Sequence, residues 1–208
     1  MIMKGIFITF EGIDGCGKST QCELLKKHLE DNGKDFIFVR EPGGTVIGER
    51  IREILLDKKN TQMTPRTELL LFEAARAQIT DEVIKPAIEE GKIVICDRFF
   101  DSSSAYQGMA RGMGMDFVAN LNMAATGGLK PDITFFFDIT AEEALARRGK
   151  RGEASDRIEL AGLKFQEDVR RGYLELAENS GGRIVTIDAM QSPDEIFGQI
   201  MDTLEGKI

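Results

Sequence analysis

The sequence predicts an α/β fold in which helices cover both faces of a parallel β-sheet. Short runs of apolar residues alternate along the chain with helical stretches, and the runs are almost continuously apolar. Strands buried on both faces have this composition, and a helix is the usual connection between parallel strands. The first run leads directly into a glycine-rich loop and a helix, an arrangement that also recurs in sheets of this kind.

The alternation of apolar runs and helical stretches predicts five strands and several helices. The predicted strands are residues 4–10, 35–40, 92–99, 132–139 and 182–189. Helices are predicted over 19–33, 46–57 and 64–90, in a region ending near 126, and on both sides of 147–157. The segment 64–90 has a good start signal in Thr64 before Pro65, and Pro86 is expected to kink or interrupt it.

Length and composition indicate a single domain over residues 1–208 with an ordinary core. The chain carries 42% apolar and 30% charged residues and shows no repeat or linker. No apolar run approaches the ~20 residues of a transmembrane helix. Three cysteines, Cys16, Cys22 and Cys96, lack metal-ligand spacing. This pattern favours a cytoplasmic protein without disulfides.

The charge balance excludes several classes of function. The formal net charge is −8, which argues against a general binder of nucleic acid or anionic membranes. Only one histidine is present, His28, so a Ser-His-Asp triad or a histidine-ligated zinc site is not expected. A small anionic ligand needs only a local basic pocket and is not excluded.

The glycine-rich loop, residues 12–19, has the spacing of a phosphate loop. Gly12, Gly17, Lys18 and Ser19 fit G-x-x-x-x-G-K-[ST] between a strand and a helix. Glycines allow the backbone N–H groups to converge on one anion, and the helix N-terminus adds partial positive charge. We expect ATP to bind here. The predicted contacts are Gly12, Ile13, Asp14, Gly15, Cys16, Gly17, Lys18, Ser19 and Thr20.

A magnesium site is predicted beside this loop. The hydroxyl of Ser19 is placed to ligate Mg²⁺. Asp97 ends an apolar strand and should lie at the carboxyl edge of the sheet, where ligands bind in such folds. Ser19 and Asp97 are therefore the predicted metal-binding residues.

The rest of the chain favours a small kinase over a nucleotide switch. The [NT]-K-x-D motif that reads guanine is absent, and an ATPase motor would usually be larger. A kinase needs a second anion pocket and arginines near the transferring phosphoryl group. Arg98, directly after Asp97, suits an acceptor phosphate, with a surface ion pair as the alternative. Phe72 and Arg76, one helical turn apart, could hold a base. Phe72 viewed alone favours the core, and Arg76 shifts the balance toward binding.

Two further segments carry polar or basic side chains. Residues 101–108 contain Ser102, Ser103, Tyr106 and Gln107, which either cap a helix or read base and sugar edges. The segment 147–157 is either a solvated face or a lid that brings arginines onto the phosphates. Its basic residues are Arg147, Arg148, Lys150, Arg151 and Arg157.

These pieces resemble the bacterial thymidylate kinases, of the nucleoside monophosphate kinase class of P-loop kinases, over essentially the whole chain. Four blocks carry the resemblance, at residues 10–21, 40–52, 69–76 and 97–108. It implies a three-layer fold with a five-stranded parallel sheet, a mobile lid and a homodimer. It also implies ATP- and Mg²⁺-dependent phosphorylation of dTMP to dTDP in dTTP synthesis.

The resemblance also implies roles on the acceptor side. Phe72 would stack on thymine, Arg76 would bond its O4 edge, and Ser103 and Gln107 would help to read the base. Tyr106 would close over the deoxyribose and disfavour a 2′-hydroxyl. The remaining implied acceptor-side residues are Glu41 and Pro42 beside the 5-methyl group, Arg52 and Arg98 at the pocket and phosphate, and Asp14 nearby.

The position of the catalytic arginine differs within this family. This phosphate loop contains no arginine whereas the lid is basic, so the chain resembles members with a lid arginine, and Arg148 and Arg151 are the candidates. With Lys18, Arg98 and Asp14 they form the predicted catalytic group. A cis peptide bond is predicted at Glu41–Pro42. Cys16 would make the loop sensitive to oxidation if its thiol were exposed.

The sequence leaves two other functions open. One is a kinase for dUMP, dGMP or a deoxynucleoside. The other is a nucleotide-binding regulatory protein with slow turnover, whose ADP release would not depend on an acceptor.

Overall fold

The computed structural model describes residues 5–151 and 157–208. Five parallel strands form one sheet in the order β2-β3-β1-β4-β5. The strands are β1 Phe7–Glu11, β2 Phe36–Arg40, β3 Ile93–Asp97, β4 Ile133–Asp138 and β5 Ile184–Asp188. The predicted five-stranded parallel sheet is therefore confirmed. Four strands lie within two residues of their predicted bounds, and β1 begins three residues later than predicted, at Phe7. Differences of this size are usual at element ends.

Helices connect the strands and cover the sheet. The α-helices are α1 Lys18–Asp31, α2 Val46–Leu56, α3 Pro65–Ile79, α4 Lys85–Glu89, α5 Phe100–Ser103, α6 Met115–Thr126, α7 Ala141–Arg151, α8 Leu163–Glu178 and α9 Pro193–Leu204. Two π-helical turns, Thr80–Ile84 and Ser104–Ala110, and a 3₁₀ turn, Glu159–Ala161, lie between them. Among the described residues, no helix is long and apolar enough to cross a membrane.

Both faces of the sheet are buried, as the continuous apolar runs predicted. Phe7 and Val94 belong to one apolar cluster, whereas Ile8 and Ile95, the next residue in each strand, belong to a second. Successive side chains of a strand point to opposite faces, so the two clusters lie on opposite sides of the sheet. Aromatic contacts strengthen the larger cluster, where the rings of Phe136 and Tyr173 stack at 4.9 Å.

The predicted helix over 64–90 is continuous but irregular. It begins as expected, because the Thr64 hydroxyl accepts a hydrogen bond from the Thr67 N–H at 3.3 Å. The predicted interruption at Pro86 is confirmed, because Pro86 lies in the first turn of α4 and the π-helical turn Thr80–Ile84 directly precedes that helix. In a regular helix the proline ring would clash with the carbonyl four residues earlier, and a wider turn accommodates it.

The carboxyl ends of the central strands position the site. Asp97 at the end of β3 lies opposite Phe10 of β1 and opposite Arg40 of β2. Backbone bonds continue this register, since the Arg98 N–H donates to the Phe10 carbonyl at 3.0 Å and the Glu41 N–H donates to the Asp97 carbonyl at 2.9 Å. The loops that follow β1, β2 and β3 therefore meet at one edge.

Candidate active site

The phosphate loop joins β1 to α1, as its sequence predicted. Gly12, Gly15 and Gly17 have φ angles of 140°, 93° and 106°, which residues with a side chain rarely adopt. Lys18 is the first residue of α1. The helix N-terminus therefore faces the loop and contributes partial positive charge for an anion.

The side chain of Lys18 folds back over the phosphate loop. Its ammonium group donates to the Gly12 carbonyl at 3.0 Å and to the Ile13 carbonyl at 3.3 Å, and the residue is 5% exposed. Its Nζ is 3.7 Å from the sulfur of Cys16. Cys16 is 1% exposed, so the condition under which its oxidation was expected is not met.

Arg98 connects this loop with the acceptor side. Its Nη1 donates to the Gly12 carbonyl at 2.7 Å, and its Nη2 lies 2.7 Å from Asp14 Oδ1. Burial would raise the pKa of Asp14, but the charges of Arg98 and Lys18 outweigh it and lower this pKa to about 2. Asp14 is therefore ionised at neutral pH.

The backbone of Arg98 is unusual. Its φ angle is 69°, and among the described residues it is the only one other than glycine with a positive φ. Such a conformation costs on the order of 1–3 kcal/mol and persists where the surroundings impose it. It turns the chain directly after β3, which brings the guanidinium from the strand end toward the phosphate loop.

A cavity of about 160 Å³ opens beside Arg98 and is called the acceptor cavity below. Its lining residues are Asp14, Arg40, Glu41, Pro42, Arg52, Leu56, Phe72, Asp97, Arg98, Ser102, Ser103, Tyr106, Gln107 and Ile158. Of the residues predicted for the acceptor side, all but Arg76 are in this set. The structure thus brings the predicted group together, while the contact of each residue with a substrate stays a prediction.

Three lining residues were missed by sequence reasoning. Arg40 ends β2 opposite Asp97, so its position at the carboxyl edge was a usable signal. It donates to the Pro42 carbonyl at 3.0 Å, and Arg52 donates to the same oxygen at 2.9 Å. Leu56 and Ile158 are apolar, and nothing in their local sequence distinguishes them from core residues.

The side chain of Phe72 is half-buried between the acceptor cavity and the apolar core. It lines the acceptor cavity and also packs against the larger apolar cluster. Its position is therefore compatible with both alternatives from the sequence. Stacking on a base stays a prediction.

Arg76 lies behind the cavity wall and is 1% exposed. Its Nε donates to Glu41 Oε2 at 2.8 Å, and its Nη1 donates to Glu73 Oε1 at 2.6 Å. Its other hydrogen-bond acceptors are the Ser103 hydroxyl, the Asn122 side-chain oxygen and the Phe99 carbonyl. Two carboxylates thus offset the cost of burying this arginine. Its predicted contact with a base edge stays a prediction.

Glu41 shares this buried cluster and lines the cavity. Its Oε2 accepts from Arg76, whereas its buried Oε1 has no hydrogen-bond partner among the described residues. Burial raises the pKa of this carboxyl to about 7, although the charge of Arg76 opposes the increase. The peptide bond between Glu41 and Pro42 is cis, as predicted.

Glu11 is a further site residue that sequence reasoning missed. It ends β1, is completely buried, and accepts from the Phe99 N–H at 2.7 Å. The Ser102 hydroxyl donates to it at 2.6 Å and the Tyr173 hydroxyl at 2.7 Å. Glu11 therefore fixes the segment after Arg98. The hydroxyl of Ser102, predicted for substrate, is engaged in this bond.

The predicted magnesium residues offer oxygen donors. Asp97 Oδ1 is buried without a hydrogen-bond partner among the described residues, and Ser19 is exposed at the start of α1. In the described part of the chain, no group of three or more histidine, cysteine, aspartate or glutamate side chains could hold a metal. A carboxylate and a hydroxyl suit Mg²⁺, which keeps waters and takes phosphate oxygens as its other ligands.

Helix α7, which contains the first residues of the predicted lid, packs directly on the phosphate loop. A side-chain carbon added at Gly15 would lie 2.5 Å from the Ala144 carbonyl and 3.0 Å from Arg148 Cγ. Arg148 is 7% exposed, and its charge helps to lower the pKa of Asp14. Arg147 instead donates to the Ala189 carbonyl at 3.0 Å.

Arg148 is thus the lid arginine that the structure places at the loop. The side chain of Arg151, the other candidate, lies outside the described residues, as do residues 152–156 of the lid. Arg157, at the far end of the lid, donates to the Leu55 carbonyl at 2.9 Å.

Known proteins resemble this chain over nearly all of its length. The family model for thymidylate kinase matches residues 10–200. The thymidylate kinase of Thermoanaerobacter sp. (strain X514) is 50% identical, with 98% of each chain covered. Those of Geotalea daltonii and Chlorobaculum parvum are 47% identical, covering 98% and 96% of this chain and 98% and 95% of theirs. The chain belongs to the thymidylate kinase family.

Proposed function

We propose that this chain transfers the γ-phosphoryl group of ATP to dTMP, giving dTDP and ADP. The relatives that cover the whole chain are named thymidylate kinases. The observation that carries the proposal is the placement of Arg98. This side chain lines the acceptor cavity and also donates to the phosphate-loop carbonyl of Gly12 at 2.7 Å. An acceptor phosphate beside Arg98 is therefore held next to the loop that binds the donor.

The transfer needs positioning and charge neutralisation more than proton removal. An oxygen of the dTMP phosphate attacks the γ-phosphorus, and the bond from that phosphorus to the bridging oxygen breaks, so ADP leaves with the electron pair. The attacking oxygen is already an oxyanion, so no strong general base is required. Mg²⁺ would neutralise charge on the β- and γ-phosphates, and Ser19 and Asp97 would hold it.

Three cationic side chains of the protein would together stabilise the transition state. Lys18 at the loop and Arg148 on α7 would stabilise the transferring group, and Arg98 would hold the acceptor phosphate in line. Arg148 comes from a helix that covers the loop. Closure of the predicted lid over ATP would exclude water and suppress hydrolysis.

Other residues that line the cavity would recognise the nucleoside. Phe72 offers a ring for stacking, and Ser103 and Gln107 offer polar groups for hydrogen bonds. Tyr106 is 7% exposed, and Arg98 lies 5.5 Å from the centre of its ring. Its ring is the surface against which a deoxyribose would pack, and a 2′-hydroxyl would be crowded there.

The experiment that tests this function is ADP release from ATP and Mg²⁺, without an acceptor and then with dTMP, dUMP, dCMP, dGMP or thymidine. Stimulation by dTMP far above the others supports the proposal. A different preferred monophosphate would keep the mechanism and overturn the assignment of the base contacts. Release that does not depend on an acceptor would favour a regulatory nucleotide-binding protein.

The proposal also covers the oligomeric state and the cellular location. The proposed assembly is a homodimer, which is supported by exposed apolar side chains on three helices: Ile47 on α2, Leu70 on α3, and Phe117 and Met123 on α6. Sedimentation velocity tests it, and a monomer at micromolar concentration would contradict it. The proposed location is the cytosol, whose reducing conditions suit three free, buried thiols.

A further inference from the structure

Glu68, in the first turn of α3, is a buried carboxylate with three polar partners. It is 1% exposed, and its Oε1 accepts from Gln107 Nε2 at 2.9 Å. Arg111 donates to both of its oxygens at 3.2 Å, and Arg157 Nη2 lies 2.7 Å from Oε2. No sequence motif marks Glu68, and the mechanism above does not use it.

The partners of Glu68 determine its ionisation. Burial would raise its pKa, but the hydrogen bond from Gln107 and the charge of Arg111 outweigh burial and hold this pKa below its ordinary value. Glu68 is therefore a carboxylate at neutral pH. A carboxylate only accepts hydrogen bonds, so the amide group that faces it must present its NH₂ end.

This requirement fixes the orientation of the Gln107 side chain. A glutamine amide can usually rotate by half a turn and exchange its oxygen and nitrogen. Here that rotation would set two oxygens against each other in a buried place, which is costly. Gln107 lines the acceptor cavity, and its Oε1 accepts no hydrogen bond from the described residues.

We propose that Glu68 is a positioning residue that sets base specificity, because it holds the amide oxygen of Gln107 toward the acceptor cavity. An oxygen fixed there accepts a ring N–H, such as the imide N–H at position 3 of thymine or uracil. It repels the ring lone pair that cytosine carries at the same position. This inference rests on the proposed function and deepens it by assigning a residue that does not itself touch the substrate.

A merely structural role for Glu68 makes a different prediction. Glu68 also joins α3 to Arg111, whose guanidinium lies 4.5 Å from the ring centre of Phe165, and to Arg157 near the lid. Loss of these contacts would reduce stability or overall activity. It would not change the ratio of two substrates that differ only in the hydrogen-bonding edge of the base.

The test is the ratio of kcat/KM for dTMP to that for 5-methyl-dCMP, which differs from dTMP only in the hydrogen-bonding edge of the base. The ratio is measured in the wild type and in Glu68→Gln, with thermal unfolding as the check on folding. The variant amide can donate as well as accept, so Gln107 is free to rotate. We expect the ratio to fall by about tenfold or more, the scale of one hydrogen bond. The matched control is Arg111→Gln, which disturbs the same network but leaves the Glu68 contact with Gln107. Its ratio should stay at the wild-type value.

Other outcomes are equally informative. If Glu68→Gln does not fold, Glu68→Asp keeps the charge but shortens the reach to Gln107, and its ratio should fall in the same direction. A wild-type ratio in the folded variant would overturn the role of Glu68, as would an equal fall in Arg111→Gln. Absence of any dTMP-dependent transfer in the wild type would instead overturn the proposed function.

Discussion

The guanidinium of Arg98 lies 2.7 Å from the carboxylate of Asp14, and this ion pair spans the boundary between the phosphate loop and the acceptor cavity. Asp14 belongs to the loop after β1, whereas Arg98 follows β3. These strands are neighbours in the sheet, so the pairing follows from the order of the strands. An arriving acceptor phosphate can take hydrogen bonds from the same guanidinium, which makes Arg98 the most direct place to test the proposed reaction.

Replacing Arg98 with alanine should reduce kcat/KM for dTMP strongly. Loss of one preorganised donor costs ~2–4 kcal/mol of transition-state stabilisation, which corresponds to roughly 30- to 1000-fold. Steady-state kinetics with dTMP as the varied substrate measure this effect. Arg171→Ala, an exposed arginine on α8 with 68% side-chain exposure, is the control and should behave as wild type. A change below about threefold in Arg98→Ala would refute the assigned role.

The two neighbouring lid arginines should differ sharply. Arg148 lies at the phosphate loop, so Arg148→Ala should lower kcat by on the order of 10³, the scale for an arginine that stabilises a transferring phosphoryl group. Arg147 is directed at the Ala189 carbonyl, and Arg147→Ala should change kcat by about twofold or less. Single-turnover kinetics with saturating ATP measure both. Equal losses would mean that the lid acts through its net charge.

Phe72→Ala should weaken dTMP binding. Stacking of a base on an aromatic ring is worth about 1–3 kcal/mol, so Kd should rise by roughly 5- to 150-fold. Isothermal titration calorimetry without ATP isolates this step. Phe38→Ala is the matched control, since Phe38 on β2 is also half-buried but packs under Lys26 of α1 and does not line the cavity. It should lower stability and leave Kd unchanged, whereas similar Kd values for both variants would assign Phe72 to the core alone.

The Glu41 carboxyl should make stability depend on pH. Its pKa is about 7 in the folded protein against an ordinary value of 4.5, so between these limits the folded chain holds a proton that the unfolded chain releases. Its contribution to the free energy of unfolding therefore falls as pH rises through this window, by at most about 3 kcal/mol.

Urea unfolding of the wild type and Glu41→Gln at several pH values checks this prediction. The stability of the wild type relative to the variant should decline from pH 4.5 to 7 and level off above it. Glu53→Gln, on an exposed part of α2, controls for a general effect of lost charge. A difference between wild type and Glu41→Gln that does not change with pH would rule out titration of Glu41 in this range.

The sequence by itself determined the fold class and the position of the phosphate loop at the edge of the sheet. Apolar runs and helix signals reflect interactions within a few residues, so the strands and the phosphate loop were predictable. Parallel strands bring their carboxyl ends to one edge, which predicted that Asp97 and Arg98 lie beside the loop. Most of the other residues of the acceptor cavity were predicted only through the resemblance to the thymidylate kinases.

Only the tertiary structure decided which partners the buried polar groups have. Arg76 pairs with Glu41, 35 positions away in sequence, and Gln107 pairs with Glu68, 39 positions away. Neither pair leaves a local pattern, because a buried charge is stabilised by whichever groups the packed helices bring within about 3 Å of it. The placement of Arg148 at the phosphate loop has the same origin. It depends on how α7 packs against Gly15, and that packing brings together residues far apart in sequence.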